Sequence, residues 1–128
     1  MDRVGDFIVR LQNAAAIGTR EVVLPYSAHL LAIAKKLKEL GFLTEVRVAG
    51  DVKKKLEVSL AFNDRGEARL RGVKRISKPG RRLYTGHRRA HTVAGGTGAR
   101  LLTTSRGVMT DAEARAKRVG GEDLFEIW

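Results

Sequence analysis

The chain contains no cysteine among its 128 residues. It therefore has neither a disulfide framework nor a thiolate metal site, which is typical of proteins in a reducing compartment. Long apolar runs are also missing. The longest, residues 30–34, is far too short to cross a bilayer, and no basic segment followed by an apolar core opens the chain. We expect a soluble, intracellular protein with no membrane partner.

Acidic residues are scarce in the second half of the chain. Residues 1–64 carry 10 basic and 8 acidic side chains, a net charge of +2, whereas residues 65–128 carry 15 and 6, a net charge of +9. Between positions 65 and 106 there are 12 basic residues, ten of them arginine, and a single acid, Glu67. So uneven a distribution predicts a polyanionic partner, although a basic run can also be only a solvated face.

Nucleic acid is the favoured polyanion. A membrane-surface segment needs an amphipathic helix, and Gly72, Pro79, Gly80 and Gly86 interrupt any helix through the basic region. The excess of arginine also favours nucleic acid, because a guanidinium group forks onto phosphate and stacks on bases.

A hydroxyl-rich segment closes the basic region, T-T-S-R-G-V-M-T-D at residues 103–111. We interpret it as a loop between a strand and a helix. Its hydroxyl groups can bond a sugar 2′-OH, and its arginine can bind phosphate or a base. Thr110 followed by Glu113 predicts a capping box that opens the helix. Taken alone, the segment could be a helix cap and nothing more.

The pattern of apolar residues predicts an α+β protein made of two small α+β modules. The N-terminal module, 1–64, has the order helix, strand, helix, hairpin. Its second helix is predicted to start at the N-cap Ser27 and to end at Gly41. The predicted elements are a helix at 3–15, a strand at 21–25, the second helix and a hairpin across 46–62.

The C-terminal module, 65–128, is basic and predicted to be rich in strands. Turn residues at 63–66, 79–80 and 95–98 separate its elements. The predicted elements are strands at 68–76, 82–85, 99–104 and 124–128, and a short helix from Asp111 to about Val119.

Several candidate reactive sites are weak. His87 and His91 have the i, i+4 spacing of metal ligands, but no cysteine or nearby acid completes the set. The Gly95–Gly98 turn precedes a strand rather than a helix, so a structural turn is favoured over a nucleotide-phosphate loop. Ser105 lacks a base that the sequence can identify. We therefore predict no enzyme activity, no metal and no cofactor.

The motifs resemble those of the small ribosomal subunit protein eight family. Residues 103–111 are similar to its S-T-S-x-G-V-M-T-D signature, and I-S-K-P-G-R-R-L-Y at 76–84 is similar to its I-S-R-P-G-R-R-x-Y. Gly120-Gly121-Glu122 resembles its G-G-E block, and R-L-Q-N-A at 10–14 the end of its first helix. The order of these blocks covers nearly the whole chain.

The resemblance implies a structural RNA-binding protein of the small ribosomal subunit. Its partners would be a stem in the central domain of small-subunit rRNA and neighbouring ribosomal proteins, with its own messenger RNA as a further target if it represses its translation. The implied location is the cytoplasmic small subunit, with an organelle left open. The implied binding residues are Thr103, Thr104, Ser105, Arg106 and Gly107, and in second rank Arg81, Arg82, Tyr84, Gly121 and Glu122.

Two roles within this set stay open. Tyr84 is a stacking platform for a base or a half-buried strand residue. Glu122 accepts from a base amino group or pairs with an arginine. The chain also departs from the family pattern at Arg100, where a small apolar residue is usual, and at 90–93, where A-H-T-V replaces L-P-R-V.

Two other functions share parts of this pattern. A general double-stranded RNA-binding or RNA chaperone module would have the same charge but little preference among stems. A nuclease would need a cluster of acids or histidines, and the basic half holds only six acids.

Overall fold

The structure is a computed structural model that describes residues 2–85 and 98–128. Helices combine with antiparallel sheets, which confirms the predicted α+β class. The chain forms two compact units, Met1–Arg71 and Gly72–Trp128. Within the described ranges, no helix has the length and apolar character needed to span a membrane. His87, His91, most of the predicted 95–98 turn and the departure at 90–93 lie outside the described residues.

The first unit contains two helices and one three-stranded antiparallel sheet in the order β1-β3-β2. All its elements were predicted, and β1 has the predicted bounds. The Ser27 hydroxyl group accepts from the Leu30 amide and caps α2 as expected. The elements are α1 (Arg3–Ile17), β1 (Glu21–Pro25), α2 (Ala28–Glu39), β2 (Leu43–Ala49) and β3 (Lys55–Leu60).

The core of this unit follows from the helical period of apolar residues. Phe7 and Leu11 are buried on α1, and Ile33 and Leu37 on α2. In β1 every second residue is buried, so one face of the strand contributes to the core and the other is exposed.

The first unit extends seven residues past the predicted boundary at 64. Phe62 and Ala68 form an antiparallel bridge, and the Arg69 amide donates to the Ala61 carbonyl group at 2.8 Å. Ala68 and Leu70 are buried. The strand predicted at 68–76 is therefore two separate pieces: a bridge in the first unit and a short strand, β4 (Val73–Arg75), in the second.

The second unit contains one five-stranded antiparallel sheet and one short helix. Its path is β4-β8-β6-β7, and β5 pairs with β8 off this path. The strand at 99–104 has the predicted bounds, the last strand starts three residues earlier than predicted, and the helix ends earlier, at Ala116. The remaining elements are β5 (Tyr84–Thr85), β6 (Ala99–Thr104), β7 (Gly107–Thr110), α3 (Asp111–Ala116) and β8 (Gly121–Ile127).

Helix α3 begins with the predicted capping box. The Thr110 hydroxyl group accepts from the Glu113 amide, and the Glu113 carboxylate accepts from the Thr110 amide. Ala114 packs with Leu102 and Met109, so the helix covers part of the face that β6 and β7 share. The cap and this contact fix the helix at the end of β7.

Candidate nucleic-acid interface

The hydroxyl-rich segment is a β-hairpin, and the expectation of a loop leading directly into a helix is wrong. Thr103 pairs with Val108, and Thr104 pairs with Gly107. Only Ser105 and Arg106 form the turn, and both are exposed. Gly107 has φ = +109°, a backbone conformation that favours glycine, which explains the residue at the start of β7.

The Thr104 hydroxyl group holds this turn together. It donates to the Gly107 carbonyl oxygen at 2.9 Å and accepts from the Arg106 amide at 3.1 Å. Thr104 is buried, with 9% of its surface exposed. Ser105, by contrast, is exposed, and its hydroxyl group has no partner among the described residues.

Three of the predicted binding residues form one row across three strands. Glu122 of β8 pairs with Tyr84 of β5 on one side and with Thr103 of β6 on the other. Residues paired across adjacent strands project to the same face of a sheet, so the three side chains share one face. Tyr84 lies on a strand but is 71% exposed, which leaves its ring accessible for stacking.

Gly121 lies in the next row, between Thr85 and Thr104. A Cβ atom at this position would overlap the Thr103 carbonyl oxygen. Only glycine allows this close approach of β8 to β6. The geometry thus explains why a glycine occupies position 121. The predicted contact of Gly121 with RNA stays a prediction.

Glu122 forms the ion pair that the sequence left as one of two alternatives. Its Oε2 atom accepts from Arg82 Nη1 at 2.9 Å and from Ser77 Oγ at 2.6 Å. Four-fifths of the Glu122 side chain is shielded, since 19% is exposed. A base amino group that donates to this carboxylate would have to bind beside these two donors or displace one of them.

Ser77 was not predicted as part of the site. It is 2% exposed, and its Oγ atom also accepts from the Leu83 amide at 3.0 Å. One hydroxyl group therefore links Glu122 to the chain just before Tyr84. The sequence contained Ser77 within the I-S-K-P-G motif, but only the fold brings it to a residue 45 positions away.

The two predicted arginines of the P-G-R-R motif have different environments. Arg82 pairs with Glu122, and half of its side chain remains exposed. Arg81 follows a tight turn in which the Lys78 and Arg81 backbones exchange two hydrogen bonds of 3.0 Å. Its exposed guanidinium group has no partner among the described residues. Arg82 therefore contacts the row that contains Tyr84 through its ion pair with Glu122, whereas Arg81 precedes that contact along the chain.

The arrangement is suited to binding rather than to metal chemistry or catalysis. Across residues 2–85 and 98–128, no group of three or more histidines and acids could hold a metal ion. What the sheet end offers instead is an exposed ring, an exposed hydroxyl group and several arginines. These groups recognise the bases, sugars and phosphates of RNA.

Comparison with known proteins gives one family. The family model described as Ribosomal protein S8 matches residues 2–128, and so spans both units. A protein of Thermodesulfovibrio yellowstonii, named Small ribosomal subunit protein uS8, is 39% identical over 128 residues, which are 99% of this chain and 98% of the relative. A protein of the same name from Xanthomonas axonopodis pv. citri is 42% identical over 125 residues, 96% of this chain and 94% of the relative.

Proposed function

This chain belongs to the ribosomal protein S8 family, and we propose that it binds a stem in the central domain of small-subunit rRNA and thereby supports assembly of the subunit. As a member of the family it is a structural, non-enzymatic component of the small subunit of the cytoplasmic ribosome. Its partners are rRNA and other ribosomal proteins. The stem and the residues that contact it are the proposal.

The observation that carries the proposal is the row formed by Tyr84, Glu122 and Thr103. It places an accessible ring beside polar groups at the end of the sheet from which the Ser105–Arg106 turn extends. Double-stranded RNA is recognised through phosphates, 2′-OH groups and exposed base edges, and a rigid sheet end can hold donors and acceptors in a fixed register against them.

We assign different tasks to the residues of this surface. Arg106 and Arg81 attract phosphate, because their guanidinium groups are exposed and have no side-chain partner among the described residues. Ser105 contacts a sugar or base edge. Thr104, Gly107 and Gly121 act indirectly, since Thr104 and Gly107 hold the hairpin and Gly121 allows the close approach of β8 to β6.

Glu122 has a double task in this proposal. Its carboxylate organises Ser77 and Arg82 in the free protein, and one of its oxygens can accept from a base amino group when RNA is bound. Arg82 then bridges the protein carboxylate and the RNA phosphate, which keeps the buried part of the charge paired.

The test is a titration of the full chain with two RNA hairpins of equal length at equal ionic strength. One hairpin has the sequence of the small-subunit central-domain stem, and the other is an unrelated stem. We expect a clear preference for the first that persists at moderate salt. Equal affinity for both hairpins would contradict the proposal and would favour a general double-stranded RNA-binding or chaperone function instead.

The same surface is proposed to bind a stem in the protein's own messenger RNA. The only support is the family resemblance, which implies a messenger stem similar to the rRNA stem. A third hairpin taken from the messenger therefore belongs in the titration, and we expect it to compete with the rRNA stem for one site. Independent, additive binding of the two stems would exclude a shared surface.

A further inference from the structure

A second basic site lies in the C-terminal unit, away from the row that contains Tyr84. It is a cavity of about 340 Å³ beside the segment that joins β4 to β5. Five cationic side chains and one carboxylate, Glu126, are among its described lining residues. The cations are Lys74, Arg75, Lys78, Arg81 and Arg100.

The cavity and the proposed stem-binding row lie on opposite faces of the sheet. Glu126 pairs with Lys74 on one side and with Arg100 on the other, which forms a second cross-strand row. In β6, Arg100 and Thr103 are three residues apart, and side chains alternate between faces along a strand. The extra residue that shifts the register between Leu101 and Leu102 lies in β8, so the alternation in β6 is regular.

The charge of the cavity is only partly neutralised within the protein. The Arg100 guanidinium group pairs with Glu126 and with Asp123, and Arg75 Nε donates to the Ser77 carbonyl group at 2.7 Å. No hydrogen bond or ion pair to another described side chain engages the Lys74 and Lys78 ammonium groups or the Arg81 guanidinium group. Three cations therefore remain available to an anion.

Arg100 is a largely shielded cation of the cavity lining. The resemblance leads one to expect a small apolar residue at this position, yet here a guanidinium group occupies it with 17% of the side chain exposed. Its ion pair with Glu126 forms part of the lining and offsets the only acid among the described lining residues. The result is a cavity whose remaining charge is positive.

The cavity also has apolar lining. Ile76 and Leu83 are half-buried and border the same space. A cavity of this volume is at the small end of those that hold organic ligands. A lining that combines cations with aliphatic side chains suits a molecule with a phosphate group and a flat or sugar-like body.

We propose that this cavity binds a nucleoside phosphate, with the phosphate at Lys74, Lys78 and Arg81 and the nucleoside against Ile76 and Leu83. Such a group can come from a free nucleotide or from a single nucleotide of an RNA chain. The proposal goes beyond the proposed stem binding. The cavity lies on the opposite face of the sheet from the row that contains Tyr84, and Arg81 is assigned to both surfaces.

The test follows backbone amide shifts of the full chain by NMR at constant ionic strength. Adenosine 5′-monophosphate, adenosine and inorganic phosphate are titrated separately. We expect saturable shifts with the nucleotide, centred on the amides of Lys74, Lys78, Leu83 and Arg100. Adenosine should produce none, and phosphate should bind at least several-fold more weakly than the nucleotide. Shifts that do not saturate, or that spread over cations of both units, would overturn the proposal.

Two lysine variants test whether the cavity cations bind the phosphate group. Arg81 is left unchanged, because it also belongs to the proposed stem-binding surface. Lys78→Gln and Lys74→Gln alter exposed side chains, and each should weaken nucleotide binding roughly three- to tenfold because it removes one charge-assisted hydrogen bond. Lys53→Gln removes an exposed cation of the first unit and is the matched control, with unchanged binding expected. Wild-type affinity in both cavity variants would also overturn the proposal.

The source of the nucleoside phosphate is decided by repeating the titration with protein saturated by the rRNA stem. Full retention of nucleotide affinity identifies a free nucleotide as the ligand. Loss of nucleotide binding, with the stem itself shifting the Lys74 and Lys78 amides, identifies a nucleotide of the RNA. If the stem shows no preference over an unrelated hairpin but the nucleotide still saturates the cavity, the proposed function fails and this inference stands.

Discussion

Ser77 Oγ donates to Glu122 Oε2 at 2.6 Å, across 45 positions of the sequence. The same oxygen of Ser77 accepts from the Leu83 amide. A buried hydroxyl group therefore anchors the segment between β4 and β5 to the strand that carries Glu122. Tyr84 follows Leu83 directly, so the position of its exposed ring depends on this anchor.

Ser77→Ala should lower both the stability of the protein and its affinity for the rRNA stem. The change leaves the Leu83 amide without its acceptor and removes one donor from Glu122, which should reduce the free energy of unfolding by about 1–3 kcal/mol. Chemical denaturation measures the first effect, and stem titration the second. Unchanged stability would show that the two hydrogen bonds are replaced by water at no cost.

Ser105→Ala is the matched control, in which stem affinity should fall without a loss of stability. Its hydroxyl group is exposed and has no partner among the described residues, so the free energy of unfolding should change by less than about 0.5 kcal/mol. Stem affinity should nevertheless fall, with little change in its salt dependence, because the interaction that the hydroxyl group makes is uncharged. If Ser105→Ala binds the stem like the wild type, the hairpin turn does not read the RNA.

Arg106→Ala should reduce stem affinity and its salt dependence together. Removal of one phosphate contact lowers the slope of log K against log salt concentration by about 0.9 on duplex nucleic acid. Arg65→Ala removes an exposed arginine in the first unit and should leave the slope unchanged. Equal slopes for Arg106→Ala and Arg65→Ala would contradict a phosphate contact at the turn.

The sequence predicted those elements whose formation depends on neighbours along the chain. The apolar period of α1, the Ser27 cap of α2 and the box of Thr110 and Glu113 are local signals, and all are present in the structure. Strand β6 also has its predicted bounds, Ala99–Thr104.

The features that were missed depend on contacts with other segments of the chain and not on the composition of the segment itself. Strand β7 is only four residues long and begins with a glycine, so its state is decided by its pairing with β6. The end of the first unit was placed at 64 because Asn63 to Gly66 has the composition of a turn. That turn is instead internal to the unit, since Ala68 and Leu70 return to its core.

Gly121→Ala should destabilise the C-terminal sheet. The added methyl group would overlap the Thr103 carbonyl oxygen, and a backbone atom paired within a sheet cannot move aside cheaply. We expect a loss of about 1–3 kcal/mol in the free energy of unfolding, or more if the register of β8 shifts. Gly80→Ala is the control, because nothing lies within 4 Å of the position that its added methyl group would take. Equal effects of both changes would exclude the steric explanation.

Arg100→Ala should be among the more destabilising substitutions of a charged residue in this chain. Its guanidinium group pairs with two shielded carboxylates, Asp123 and Glu126, whose side chains are 4% and 16% exposed. Removal of one member of a buried ion-pair network leaves the others unpaired and costs about 3–5 kcal/mol. Arg10→Ala breaks an exposed pair with Asp6, both side chains 49% exposed, and an exposed hydrogen bond to the Val23 carbonyl group, and should cost only about 1 kcal/mol. Chemical denaturation of the two variants in parallel measures the difference, and similar losses would show that water screens the Arg100 network as effectively as a surface pair.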